Sequence, residues 1–162
     1  MITGERIAIL TGGGDCPGIN AVIRAVVKKA TSEKNLEVIG IEEGYEGLIN
    51  NKYRPLTYDD VSGILTLGGT ILGTSNKANP YGYAVRKNGE LLFEDRSSAV
   101  VENVKKLNIS CLVCVGGDGT LSIAYKLFQQ GIPIVGIPKT IDNDRELLLP
   151  YGRSFLIQRL PT

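Results

Sequence analysis

Val113-Cys114-Val115-Gly116-Gly117-Asp118-Gly119-Thr120 decides the fold of this chain. An apolar run ends there in glycines that enclose a single carboxylate. Further along, a second apolar run ends in a carboxylate cluster, Pro138-Lys139-Thr140-Ile141-Asp142-Asn143-Asp144, and a helical pattern lies between the two. In an open parallel sheet, ligands bind beyond the carboxyl ends of the strands and anions bind at helix N-termini. The pattern therefore predicts two strand ends that bring acidic groups to one edge, as a phosphate-handling site requires.

The other elements follow from hydrophobic periodicity and turn residues. Short aliphatic runs that stop at glycines indicate buried parallel strands, and apolar positions at helical spacing indicate helices. Asn88-Gly89 between two apolar runs indicates a hairpin, which we expect at an edge of the fold. The predicted strands are 6–11, 36–41, 110–115 and 132–137, and the predicted helices are 18–31, 58–65, 97–108 and 121–130. This order predicts an α/β fold, a three-layer sandwich with a mainly parallel sheet.

The composition is that of one soluble globular domain, with 162 residues, 43% of them hydrophobic and 22% charged. A net charge of +1 gives no field that attracts nucleic acid or a membrane surface, so we expect neither as a partner. Apolar runs also stay short of the roughly 20 residues that a membrane span needs. Cys16, Cys111 and Cys114 are interpreted as reduced core residues, which indicates the cytoplasm.

Two glycine-rich stretches are candidates for phosphate contact. Gly12-Gly13-Gly14-Asp15 precedes a predicted helix, whose N-terminus carries roughly half a positive charge, so backbone N–H groups there can approach an oxyanion. A tight turn without a ligand is the alternative. The stretch 67–77 places glycines and hydroxyls around Lys77, which suits a phosphate chain but also describes a surface loop.

The acidic residues at the two strand ends have separate candidate roles. Asp118, enclosed by glycines, suits a magnesium ion held by one carboxylate and substrate phosphates, with a plain helix cap as the alternative. In an extended segment Thr140, Asp142 and Asp144 share one side. One of these carboxylates can accept a proton from a substrate hydroxyl, and the alternative is a polar turn.

Three motifs together carry a family resemblance. Residues 10–20 (Leu-Thr-Gly-Gly-Gly-Asp-Cys-Pro-Gly-Ile-Asn), the Gly-Gly-Asp-Gly-Thr run at 116–120 and the Pro-Lys-Thr-Ile-Asp-Asn-Asp run at 138–144 resemble the amino-terminal half of a 6-phosphofructokinase. Lipid and nicotinamide-nucleotide kinases share the second motif but lack the third. The resemblance implies transfer of a phosphoryl group from ATP to the 1-hydroxyl of fructose 6-phosphate, with Mg²⁺ as cofactor.

The resemblance also implies roles for single residues. Asp142 would be the general base, Gly14 would offer its backbone N–H to the transferring phosphoryl group, and Asp118 would bind magnesium. The implied sugar-side residues are Lys139, Thr140, Ile141, Asp142 and Asp144, and the implied ATP contacts are Gly14, Asn76, Lys77, Gly117, Asp118, Gly119 and Thr120.

The family pattern divides over the phosphoryl donor. Relatives that use pyrophosphate tend to carry an aspartate where this chain has Gly119, so Gly119 favours ATP. Lys139 replaces the glycine of well-known bacterial ATP enzymes and recurs in pyrophosphate users. Asn76 stands where many relatives have an arginine, and the adjacent Lys77 would supply the charge.

The resemblance stops at Asp144, so we expect a nucleotide-binding domain over 1–144 and a divergent tail over 145–162. Family members continue for about as much chain again, with arginines and a histidine that hold the sugar phosphate. We therefore expect a truncated or frameshifted product, which resequencing of the locus tests. A non-catalytic nucleotide-binding remnant is the alternative to an active enzyme, and the family implies a homo-oligomer for a complete chain.

Overall fold

The computed structural model describes residues 6–34, 36–75 and 77–139. The strands are β1 (Arg6–Thr11), β2 (Glu37–Ile41), β3 (Tyr53–Pro55), β4 (Tyr83–Lys87), β5 (Glu90–Glu94), β6 (Ile109–Gly116) and β7 (Ile134–Pro138). The α-helices are α1 (Ile19–Lys34), α2 (Tyr45–Asn50), α3 (Ser97–Lys106) and α4 (Asp118–Gln129), with short 3-10 helices at Ile64–Thr66 and Pro80–Gly82.

Five strands form the central sheet in the order β3-β2-β1-β6-β7. β1 pairs in parallel with both β2 and β6, and β7 continues the parallel set beside β6, whereas the short β3 pairs antiparallel with β2 at one edge. Parallel neighbours need crossover connections, which α1 and α4 supply between β1 and β2 and between β6 and β7. The prediction of an α/β fold with a mainly parallel sheet is confirmed.

Helices cover both faces of this sheet, which gives the predicted three layers. On one face Ile9, Val38 and Val113 pack with α1 and with residues between Leu56 and Leu72. On the other face the alternate strand residues pack with α2, α3 and α4. Because neighbouring side chains of a strand point to opposite faces, strands covered on both sides are apolar at successive positions.

The three cysteines are free, with Cys16 and Cys114 buried and Cys111 half-buried. The expected core positions are therefore confirmed for two of them. Among the described residues, no helix combines the length and the apolar character that crossing a membrane requires.

The predicted helix at 58–65 is wrong. Thr57 donates from its backbone N–H and its hydroxyl to the Asp60 carboxylate, at 2.7 and 2.6 Å, which closes a turn over residues 58–63. Gly63 then adopts a φ of 74°, a left-handed conformation that interrupts helical winding before Ile64–Thr66.

The hairpin prediction is confirmed, since β4 and β5 pair around Asn88 and Gly89, both at positive φ. β4 and β5 form a two-stranded sheet apart from the five-stranded sheet, and Leu91, Leu92 and Phe93 of this hairpin are exposed. Two elements were missed by the periodicity, α2 and β3, and both are shorter than a periodic pattern can reveal.

Candidate functional site

The strand order reverses between β1 and β6, since β2 follows β1 to one side and β6 lies on the other. In open α/β sheets such a switch point forms a crevice at the carboxyl ends of the strands, where ligands bind. The turns after these strands are joined directly, because the Gly12 N–H donates to the Val115 carbonyl at 2.9 Å. The Lys139 N–H donates to the Gly116 carbonyl at 3.0 Å, so the end of β7 joins the same edge.

Thr120 fills the space between the two glycine turns. A Cβ added at Gly12 would lie 2.5 Å from Thr120 Oγ1, and one added at Gly116 would lie 2.5 Å from Thr120 Cβ. Both distances are far below van der Waals contact, so each position requires glycine. Thr120 was predicted as an ATP contact, and the structure brings it to the site with a buried side chain that packs against both turns.

Asp118 is the first residue of α4, which follows β6 after Gly117 alone. Gly117 is the N-cap and has no side-chain cap, so Asp118 does not cap this helix, and its side chain is exposed. Within the described ranges the Asp118 carboxylate has no hydrogen bond or ion pair to another residue, and no group of three metal-binding side chains occurs. A single free carboxylate at a helix N-terminus fits Mg²⁺, which keeps several waters and takes one or two carboxylates plus substrate phosphates.

The turn after β1 carries a positive charge from a distant part of the chain. The Lys139 ammonium donates to the carbonyl of Gly14, and its side chain runs along Gly13, whose φ is 79°. Gly14 is exposed, and a Cβ added there would meet nothing within 4 Å. Exposed glycine backbone beside an ammonium is an arrangement that can accept an oxyanion.

We describe the crevice by three walls, which are the glycine turn 12–14, the glycine turn 116–119 and the loop from Leu67 to Ser75. Asn20, buried in the first turn of α1, donates to the Leu67 carbonyl at 3.1 Å and accepts from the Ile71 N–H at 2.9 Å. The buried Thr11 hydroxyl, at the end of β1, donates to the Gly73 carbonyl at 2.8 Å. This loop is therefore hydrogen-bonded to the end of β1 and to the first turn of α1, and it is not a free surface loop.

Sequence reasoning missed Thr11 and Asn20 as site residues. Both are polar and lie beside an apolar run, and a buried polar residue next to a glycine turn is the signal that could have found them. Of the predicted residues, the structure brings Gly14, Gly117, Asp118, Gly119, Thr120 and Lys139 to one edge, and Lys77 is exposed at the end of the 67–75 loop. The predicted residues Asn76, Thr140, Ile141, Asp142 and Asp144, like the segment 145–162, lie outside the described residues.

The sheet, its switch point, the two glycine turns and the 67–75 loop define an α/β domain with a crevice at the carboxyl ends of its strands. The family model described as phosphofructokinase matches residues 6–147, and the chain belongs to the phosphofructokinase family.

Individual relatives agree with the family match. The chain is 53% identical over 141 residues to ATP-dependent 6-phosphofructokinase 2 of Clostridium perfringens, a match that covers 86% of this chain and 38% of that protein. It is 49% identical, with the same coverage, to the ATP-dependent 6-phosphofructokinase of Chloroflexus aggregans. The solved structure of Pichia pastoris phosphofructokinase in the T-state matches with a TM-score of 0.74 and 31% identity, over 89% of this chain and 16% of that one. The chain thus spans about two fifths of the length of the curated relatives it matches.

Proposed function

We propose that this chain forms the ATP- and magnesium-binding half of an ATP-dependent 6-phosphofructokinase, acting in glycolysis in the cytoplasm. The observation that carries the proposal is the meeting of two glycine turns, 12–14 and 116–119, at the switch point, with the Lys139 ammonium beside them. Relatives named as ATP-dependent 6-phosphofructokinases, about 50% identical to this chain, support it.

The two turns divide the phosphate chain of ATP between them. The backbone N–H groups at the start of α4, from Gly117 to Thr120, bind the nucleotide phosphates, because the first turn of a helix has unpaired donors and a positive dipole end. The exposed N–H of Gly14 binds the phosphoryl group in transfer. Lys77, which is exposed after the 67–75 loop, contacts the nucleotide, and we assign Asn76 the same role.

Asp118 and the ATP phosphates together hold Mg²⁺, which neutralises charge on those phosphates when bound. The free, exposed carboxylate of Asp118 supports this assignment. Because α4 starts directly after β6, the carboxylate stands at the same edge as the backbone donors that bind the phosphates.

The acceptor side follows β7. Asp142 accepts the proton of the 1-hydroxyl of fructose 6-phosphate, while Lys139, Thr140, Ile141 and Asp144 hold the sugar. A carboxylate suits the task because phosphoryl transfer depends on positioning and charge stabilisation, with a base that orients the nucleophile. The bond between the Lys139 N–H and the Gly116 carbonyl supports it, since it holds Lys139, which immediately precedes Thr140 in the sequence, beside the second glycine turn.

ATP is the proposed donor because Gly119 is exposed and a Cβ added there would meet nothing within 4 Å, which leaves room for the α-phosphate of a nucleotide. Pyrophosphate is the second candidate donor, and Lys139 favours it by placing an ammonium at the first turn. For the complete enzyme we propose a homo-oligomer, with no nucleic acid and no membrane as partner.

A coupled assay with fructose 6-phosphate tests the proposal with ATP and with pyrophosphate as alternative donors. ATP-dependent turnover that Asp142→Asn abolishes, and that Asp59→Asn at an exposed carboxylate outside the glycine turns leaves intact, would support an active enzyme. Gly119→Asp should weaken ATP use and spare pyrophosphate. Calorimetric binding of MgATP without turnover would support the non-catalytic remnant, and neither binding nor turnover would overturn the proposal.

A further inference from the structure

The segment Glu43–Tyr45 joins β2 to the first residue of α2 and belongs to none of the three motifs. It contacts the 67–75 loop, the end of β1 and the first turn of α4. The Glu43 N–H donates to the Leu72 carbonyl at 2.8 Å and so holds the 67–75 loop. Gly44, with a φ of 64°, lies so close to β1 that an added Cβ would be 2.8 Å from the Thr11 carbonyl oxygen. The third contact is made by the side chain of Tyr45.

Tyr45 is 2% exposed, and its hydroxyl donates to the carbonyl of Thr120 at 2.8 Å. Thr120 lies in the first turn of α4, and a helical carbonyl keeps a lone pair beyond the one that faces the N–H four residues on. The Tyr45 hydroxyl therefore adds a hydrogen bond to the helical turn that carries Asp118 and Gly119. The donor belongs to α2, which follows β2, and β2 lies on the opposite side of β1 from β6.

The chemistry of this bond does not change across the physiological pH range. Burial raises the pKa of the Tyr45 phenol well above its usual value, so the hydroxyl keeps the proton that it donates. The neighbouring Cys114 Sγ lies 3.8 Å from the hydroxyl, and burial raises the pKa of that thiol to about 12, so it stays neutral as well.

We infer that Tyr45 is a positioning residue for phosphate and metal binding. It fixes the first turn of α4 relative to the turn after β1, because the same three-residue segment also lies against the Thr11 carbonyl and bonds to the 67–75 loop. The inference rests on the proposed function. Positioning of this kind matters since a displacement of about 1 Å at a site can cost orders of magnitude in rate.

Tyr45→Phe removes the hydroxyl and retains the buried ring, and Tyr83→Phe is its matched control. The Tyr83 hydroxyl donates to the Glu46 carboxylate at 2.6 Å and accepts from the Asn50 amide at 3.2 Å, both residues of α2, so its loss tests the removal of a phenol hydroxyl that does not bond to Thr120. Calorimetric titration of the full 162-residue chain with MgATP should show affinity about 3- to 10-fold weaker in Tyr45→Phe and unchanged within twofold in Tyr83→Phe.

Hydrogen exchange supplies a readout that needs no ligand. Amides from Leu121 to Ala124 should exchange about 3- to 10-fold faster in Tyr45→Phe than in Tyr83→Phe, after correction for global stability. Equal exchange at these amides, or equal MgATP affinity, would overturn the inference and leave Tyr45 a packing residue. Failure of the unsubstituted chain to bind MgATP would count against the proposed function, and the exchange data alone would then decide the role of Tyr45.

Discussion

The two glycine turns of the switch point lie side by side, but the chain leaves them in different ways. Residues 12–18 separate β1 from α1, whereas Gly117 alone separates β6 from α4. The first turn is consequently an open loop, and Lys139 bonds to it at the Gly14 carbonyl. Thr11 and Asn20, which flank this turn, bond instead to the 67–75 loop beside it. The second turn is held by the geometry of its own helix. Each design suits its proposed task, since a loop exposes backbone to a transferring group and a helix start presents a carboxylate and a dipole at one point.

Thr120 packs against both turns, and its two contacts differ in how close Thr120 Cβ lies to the glycine. Gly12 faces the tip of the side chain, with Oγ1 at 2.5 Å, Cγ2 at 2.9 Å and Cβ at 3.3 Å from an added Cβ. Gly116 faces the whole side chain, with Cβ and Oγ1 both at 2.5 Å and Cγ2 at 2.7 Å from an added Cβ. The tip of a side chain can be removed by substitution to alanine, whereas Cβ cannot.

Gly116→Ala should have the largest effect. Because its new methyl meets Thr120 Cβ at 2.5 Å, the strand and the first turn of α4 must move apart, at a cost of about 3 kcal/mol in the free energy of unfolding. Urea unfolding followed by circular dichroism measures it. Gly117→Ala, whose added Cβ meets only the Lys139 carbonyl oxygen at 3.8 Å, serves as the control with a smaller loss. Equal losses for the two variants would contradict the steric account.

Gly12→Ala should cost about 2 kcal/mol alone, and Thr120→Ala should rescue it, because that change removes the two nearest atoms. The same Thr120→Ala change should rescue Gly116→Ala much less, since alanine retains the Cβ that lies at 2.5 Å. Two double-mutant cycles measure the difference, and we expect a coupling energy of about 1 to 2 kcal/mol for the pair with Gly12 and a smaller one for the pair with Gly116. Equal coupling in both cycles would show that Thr120 contacts the turns alike.

Periodicity alone could locate β1, β6, α4 and β7, because their apolar runs and glycine ends are local patterns. It placed the start of α4 at 121, three residues late, since glycine disfavours helix and Gly119 lies in the first turn. Periodicity did not predict the short helix α2, which also contains Gly47. An added Cβ at Gly47 would lie 2.0 Å from the Glu42 carbonyl oxygen. Glycine there reflects tertiary space, which local propensity does not encode.

The site residues also divide into those that a local pattern predicts and those that it does not. Glycines and acidic residues indicated the two turns, whereas Asn20 and Tyr45 act through partners that are distant in sequence, Leu67 and Thr120. No spacing rule connects such pairs, because only the sheet order brings them together. The family resemblance is what supplied the roles of the acceptor-side residues.

Asn20→Ala tests whether the 67–75 loop depends on its bonds to the start of α1. The change leaves the Leu67 carbonyl and the Ile71 N–H without their partner, and we expect a loss of about 1 to 2 kcal/mol in the free energy of unfolding. Asn50→Ala is the control, because that side chain is exposed and bonds only to Glu46 and Tyr83, so its change should stay within about 0.5 kcal/mol. A loss no larger than that of the control would mean that the loop holds its place without Asn20.

Gly119→Ala should give the smallest change in stability and separates fold from function at the second turn. A Cβ there meets nothing within 4 Å, so we expect a gain of up to about 1 kcal/mol, because alanine favours helix over glycine. The same methyl would stand in the space proposed for the nucleotide phosphates and should weaken MgATP binding about tenfold. Gly14→Ala, equally open, should be neutral in stability. Unchanged MgATP affinity in a stabilised Gly119→Ala would show that glycine at this position serves neither the fold nor the ligand. A stabilised protein that loses affinity would show that the chain retains a poor helix former where a phosphate must approach the backbone.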